Sequence, residues 1–171
     1  MRSIELIFNA PLDALVRADW ARLADAGLPS LASHTAPSNR PHITLAAGND
    51  LSCDAGVQDP CGRLPLEVQF SGVVLFPSPQ GTFVLARLVV PSKPLRELHA
   101  EVHHQCTGAF ANTRPDAWTP HVTLARRVPG HLLGRAMESV DARAEGWCAG
   151  ARLWDSSTRT VTPLGGPPLQ A

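Results

Sequence analysis

Two short segments of this 171-residue chain carry matched chemistry, Pro41-His42-Ile43-Thr44-Leu45 and Pro120-His121-Val122-Thr123-Leu124. In each, an imidazole is followed two positions later by a hydroxyl. Successive side chains of a strand point to opposite faces, so His42 and Thr44 share one face while Ile43 and Leu45 anchor the other. The same parity places His121 with Thr123 and Val122 with Leu124. An imidazole titrates near neutrality and can take or give a proton, and a hydroxyl can hold an anionic oxygen. Two such strands facing one another would converge two imidazoles and two hydroxyls on one small anion. Buried without function, the same face would carry four polar groups that each need a partner. The repeat therefore reads as a site.

The elements that must hold these strands follow from hydrophobic period. Ser3 to Phe8 reads as a strand, with Glu5 between Ile4 and Leu6. A helix follows from Asn9 and Pro11, carries Leu12, Val16, Trp20 and Leu23, and stops at Gly27 and Pro29. The first motif strand spans His42 to Ala46, and residues 48–62 read as a surface loop. Leu66 to Phe76 and Thr82 to Val90 read as an antiparallel pair around the turn Pro77-Ser78-Pro79-Gln80-Gly81. A second helix from Ser92 or Pro94 carries Leu95, Leu98, Val102 and Cys106 and ends at Gly108. After the second motif strand, His121 to Arg126, come a third helix (Leu132 to Val140) and closing strands at Ala149–Trp154 and Arg159–Leu164. The tail Gly165-Gly166-Pro167-Pro168 is expected to fray. Hairpins mixed with helices, without a Gly-rich dinucleotide opening, predict an α+β fold with antiparallel sheets.

Composition sets the outer bounds. The 15 Lys+Arg cancel the 15 Asp+Glu, which argues against a long duplex or a membrane as partner and leaves open a small phosphorylated ligand or a nucleic-acid end. A chain of this length buries enough surface to fold as one domain of two small lobes, residues 1–171, without disulfide or metal. Glu5 interrupts the apolar N-terminal segment where a signal peptide needs continuity, so the expected address is cytoplasmic. There the widely spaced Cys53, Cys61, Cys106 and Cys148 are expected to be thiols, in the core or without a role. Monomer is the default expectation.

With both motifs in this order of elements, the sequence resembles the 2H phosphoesterase superfamily, which includes 2′-5′ RNA ligase-like proteins and RNA cyclic phosphodiesterases. The resemblance covers most of the chain. It implies a bilobal, pseudo-twofold α+β fold with two antiparallel sheets, outer helices and a central cleft. His42 and His121 would be the catalytic histidines, with Thr44 and Thr123 as the hydroxyls on the phosphoryl oxygens. The implied activity is metal-independent hydrolysis of 2′,3′-cyclic phosphates, on small nucleotides or RNA 3′-ends, to 2′-phosphomonoesters without a cofactor. A 2′-5′ RNA ligase, or a nucleotide-binding protein without turnover, stands as the alternative. The family often extends its second motif with an arginine, which Arg126 matches; the first copy reads Leu45-Ala46-Ala47-Gly48 instead. In an unbroken strand Arg126 would face away from His121. Only a bulge would bring it onto the histidine face as a substrate-binding residue.

Three further groups compete for attention. Trp118, just ahead of the second motif, is the leading candidate to stack on a base, with Phe76 and Phe83 behind it. His99, His103 and Cys106 have helical spacing suited to a metal, but Cys106 lies on the apolar stripe and no HExxH pattern is completed, so no metal is expected. His34 and His131 fall in loop-like stretches and should be exposed.

Overall fold

The computed structural model describes residues 1–141 and 143–165. Among the described residues nine strands and four α-helices follow one another as β1 (Arg2–Phe8), α1 (Ala10–Asp25), β2 (His42–Gly48), β3 (Ser52–Cys53), α2 (Gln58–Cys61), β4 (Leu66–Ser78), β5 (Thr82–Val89), α3 (Lys93–His104), β6 (Cys106–Thr107), β7 (His121–Pro129), α4 (Leu133–Glu138), β8 (Ala144–Asp155) and β9 (Thr160–Gly165). The tail from Gly166 lies outside the described residues.

The fold is α+β with antiparallel pairing throughout. Seven strands form one sheet in the order β2-β1-β8-β4-β5-β7, with β9 also on β8, and β3 pairs β6 separately. The long β8 joins the two halves: Cys148 to Asp155 pair with β1, while Ala144 to Cys148 pair with β4. The two motif strands, β2 and β7, stand at opposite ends of this order, yet they lie against each other. The sheet therefore curls until its ends meet, and the histidine strands are what meet there.

Local chemistry explains the helices. The Asn9 side chain accepts the Leu12 N–H and caps α1, whose apolar positions Leu12, Val16, Trp20 and Leu23 are all buried. On the same helix, Asp19 is fully buried and paired with Arg87 of β5, which is equally buried, and with Arg22. This pair ties a helix from the first half of the chain to a strand from the second. Breaking such a pair leaves an uncompensated buried charge, so its geometry fixes where α1 sits. Helix α3 buries Leu95, Leu98 and Val102 as its periodicity predicts, but it ends at His104, and Cys106 belongs to β6.

The segment expected to be a structureless loop, 48–62, contains β3 and α2. Its pairing also corrects the expectation for the cysteines. Cys53 and Cys106 stand opposite each other in β3 and β6, their Cα atoms 4.1 Å apart, and form a disulfide. Their separation along the chain hid this pairing. Cys61 and Cys148 remain buried thiols, and burial pushes the Cys61 thiol up to about 11 despite nearby Arg63. Among the described residues no helix is long and apolar enough to cross a membrane.

Candidate active site

Both motif strands break their ladder at the same place. Along β1, Ile4 pairs with Ala46 and Glu5 with Thr44, so Leu45 is an extra residue in β2. Along β5, Leu85 pairs with Ala125 and Ala86 with Thr123, so Leu124 is the extra residue in β7. Each bulge turns two consecutive apolar residues inward, Leu45 with Ala46 and Leu124 with Ala125, and all four are fully buried. Side-chain parity resets after the bulge. Arg126 thereby returns to the face of His121 and Thr123, as the bulge alternative required; its counterpart in the first copy is Ala47. That smaller residue is overlaid by residues 108–113, with the Phe110 N–H donating to the Ala47 carbonyl. The approach is close enough that a Cβ on Gly48 would collide with the Gly108 carbonyl oxygen.

At each bulge an indole supplies a donor to the threonine carbonyl. Trp118 Nε1 donates to the Thr44 oxygen at 2.9 Å, and Trp20 Nε1 donates to the Thr123 oxygen at 3.2 Å. A carbonyl beside an irregular ladder needs such a partner. Each brace comes from the other half of the chain, so the two motif strands are cross-tied. Sequence reasoning took Trp20 only as a core residue.

The two imidazoles are held alike. His42 Nδ1 lies 2.7 Å from the Arg40 carbonyl and His121 Nδ1 lies 2.8 Å from the Thr119 carbonyl. A carbonyl only accepts, so in each ring Nδ1 carries the proton and Nε2 is left for chemistry. Burial lowers the pKa of His121; the Thr119 carbonyl opposes that, and the charges of His42 and Arg126 add to it. The charge of His42 is thus felt at His121, across the contact between β2 and β7.

An open cavity of about 800 Å³ lies on the second motif, lined by Phe76, Asn112, His121, Thr123, Arg126 and Arg127 among others. Arg127 has φ 57°, an uncommon conformation for a residue with a side chain, and it lies at a second register shift of β7, between the pairs Leu85–Ala125 and Phe83–Val128. His42 and Thr44 lie half-buried on β2 and are not part of its lining. Phe76, whose ring centroid is 4.7 Å from that of His121, is the aromatic face on this cavity. Trp118 is not in the lining. Its ring is stacked on His99 at 3.8 Å and its N–H is bonded to Thr44, so the expected base-stacking residue is placed as a brace. Sequence reasoning missed Arg127 and Asn112; the doublet Arg126-Arg127 after two apolar residues was the available signal.

The helical histidines are also accounted for. His99 is buried with Nε2 2.9 Å from the Thr113 carbonyl, and His103 Nε2 lies 3.1 Å from the Leu45 carbonyl. Cys106 is in the disulfide, so the three do not form a metal site. Burial, with the nearby charge of His103, lowers the His99 pKa to about 4 from 6.5, against the pull of backbone carbonyls. The unfolded chain thus binds this proton first, and stability is present above about pH 6.5 and lost as pH falls toward about 4. Thermal melts across that window are expected to fall more steeply for the wild type than for His99→Gln; parallel curves would contradict this placement.

Set against known proteins, this fold is that of the 2H phosphoesterases. E. coli LigT, solved with 3′-AMP, aligns with a TM-score of 0.54 over 95% of this chain and 93% of its own, at 14% identity. The Thermus thermophilus protein TT0787 aligns at 0.53 with 18% identity over 95% and 94%, and Kluyveromyces marxianus Usb1 at 0.51 with 10% identity over 95% and 96%. No protein of curated function matches the chain by sequence. The family model of the 2′-5′ RNA ligase superfamily matches residues 11–159, and the chain belongs to that family.

Proposed function

We propose that this protein hydrolyses 2′,3′-cyclic phosphates of nucleotides or RNA 3′-ends to 2′-phosphomonoesters. His42 and His121 move the protons, and Thr44 and Thr123 hold the non-bridging oxygens. The observation that carries this reading is the identical treatment of two imidazoles on facing strands, each with Nδ1 engaged by a carbonyl two residues earlier and Nε2 left over. Opening a cyclic phosphate needs a proton removed from water on one side of phosphorus and a proton delivered to the leaving O3′ on the other. Two imidazoles from opposite strands supply both. The hydroxyls strengthen their bonds as charge develops on the phosphoryl oxygens. The 3′-AMP bound to E. coli LigT supports a small nucleotide as the kind of ligand this cleft takes. With equal numbers of acidic and basic residues, the chain has little excess charge for the long basic groove that joining two RNA segments needs.

In this reading Arg126, which lines the cavity with His121 and Thr123, contacts the phosphate. Arg126→Ala is expected to lower kcat/KM about ten- to hundredfold, since a hydrogen bond to a charged group contributes about 1.5–3 kcal/mol. Its loss also removes a positive neighbour from His121, so the limb of the pH profile that reports His121 moves to higher pH. An unchanged kcat/KM would remove Arg126 from the site. The function itself is tested by incubating the protein with the four 2′,3′-cyclic nucleotides and EDTA and separating the products. Monoester formation unaffected by EDTA is expected. Tight binding without product would instead identify a nucleotide-binding protein, and joining to a 5′-hydroxyl a ligase.

A further inference from the structure

The first register shift of β7 turns two apolar residues into the core, and the second turns two arginines to the cavity. Between the pairs Leu85–Ala125 and Phe83–Val128, Arg126 and Arg127 together face the single residue Val84. Two residues against one is the arrangement by which a strand re-aims a side chain. Both arginines are exposed and both line the cavity. Arg127 holds its positive φ there, and residues held in such conformations gather at ligand clamps. Among the described residues the lining has no Asp or Glu, and neither arginine is paired with a carboxylate, unlike the core residues Arg87 and Arg152. In a chain whose charges cancel, this cavity concentrates two cations without a counter-charge.

The two arginines do not serve one point. The charge of Arg126 acts on His121, which places it with the reacting group. Arg127, next to Val128, lies farther along the strand. From Ala86, opposite Thr123, to Phe83, opposite Val128, β5 advances three residues, roughly 10 Å at the rise of a strand. The cavity continues there to Ser78, Gln80 and Thr82 around the β4–β5 turn, and its volume of about 800 Å³ suits a ligand much larger than one phosphate.

We propose that Arg127 is a specificity-determining residue that binds a second phosphoryl group, carried on the 5′-oxygen of the ribose whose 2′,3′-cyclic phosphate is opened. The inference rests on the phosphodiesterase reading above. With O2′ and O3′ both on the reacting phosphorus, O5′ is the sugar oxygen left to carry another phosphate, and it projects from the far side of the ring. A cyclic phosphate at His121, Thr123 and Arg126 then has its 5′ side toward Arg127. A guanidinium meets two oxygens of a phosphoryl group with parallel N–H bonds. The recognised group has two sources, the terminal 5′-phosphate of a free nucleotide and the internal phosphodiester of an RNA 3′-end.

The test compares kcat/KM for adenosine 2′,3′-cyclic phosphate, its 5′-phosphorylated form, and a dinucleotide ending in the same cyclic adenosine. A 5′-phosphoryl group is expected to raise kcat/KM about ten- to hundredfold, the effect of one hydrogen bond to a charged group. Arg127→Gly accepts the positive φ without steric cost, so it removes the side chain and keeps the bulge. It should abolish the gain, as should Arg127→Gln if the glycine variant does not fold, while Arg127→Lys retains part of it. Arg126→Ala should lower all three substrates and preserve their ratio. A gain for the terminal phosphate alone assigns the subsite to free nucleotides, and a larger gain for the dinucleotide assigns it to RNA ends. A gain for neither would overturn the proposal, and so would one that survives in Arg127→Gly. Binding gives the same answer without turnover: adenosine 2′,5′-bisphosphate should bind the wild type at least about tenfold more tightly than 2′-AMP, and the two should bind Arg127→Gly alike. Failure of this inference is thereby distinguishable from failure of the phosphodiesterase reading.

Discussion

His42→Ala and His121→Ala are each expected to lower kcat for a 2′,3′-cyclic nucleotide by about 10²–10⁴-fold, the range spanned by a positioned general acid or base. The structure explains why no neighbour should compensate. Each Nε2 is offered by a ring fixed from behind through its Nδ1 bond, and the other five histidines are elsewhere: His99 and His103 are bonded to carbonyls, and His34, His104 and His131 are exposed. Neither substitution touches the core, because Ile43, Leu45, Val122 and Leu124 on the opposite face make the packing. The loss should therefore appear in kcat with an unchanged melting temperature. The double variant should be little worse than either single one, since two groups that act in one step are not additive. Steady-state rates of the three variants check this, and wild-type turnover in either single variant would contradict it.

Thr44→Val and Thr123→Val are expected to cost about 10²–10³-fold each in kcat, the effect of removing one donor from a developing oxyanion. Valine keeps the branched shape on a strand, so the change removes a hydroxyl and little else. Each threonine is half-buried beside its histidine, and its carbonyl remains tied to Trp118 or Trp20. The backbone position should thus survive. A hydroxyl that strengthens its bond only as charge develops affects kcat more than KM. Losses smaller than about threefold in both variants would leave the threonines as structural residues only.

How much of this was legible in the sequence depended on period. The alternation around His42 and His121 specified their faces, and the helical spacing of Leu12, Val16, Trp20 and Leu23 specified the buried side of α1. Features that interrupt a period left almost no signal. The bulges at Leu45 and Leu124 each insert one residue, and only the adjacent apolar pairs, Leu45-Ala46 and Leu124-Ala125, hinted at them. Without the bulge, parity turns Arg126 away from the face of His121. Pairings between distant residues were invisible for another reason: nothing local to Cys53 marks Cys106, and nothing local to Trp118 marks the Thr44 carbonyl. Glu5 shows the same limit, because a buried carboxylate satisfied by Arg152 and Ser3 has the same local pattern as a solvated one.

The central claim is that facing His-x-Thr strands open a cyclic phosphate toward the 2′-monoester. Phosphorus NMR of the wild-type protein with a 2′,3′-cyclic nucleotide and with an oligonucleotide ending in that group, both in EDTA, reads the bond broken and the product formed. The account predicts that the cyclic resonance is replaced by that of a 2′-phosphomonoester, and that His42→Ala and His121→Ala leave it unchanged over the same time. A cyclic resonance that persists with the wild type, or a 3′-phosphomonoester as product, would contradict it.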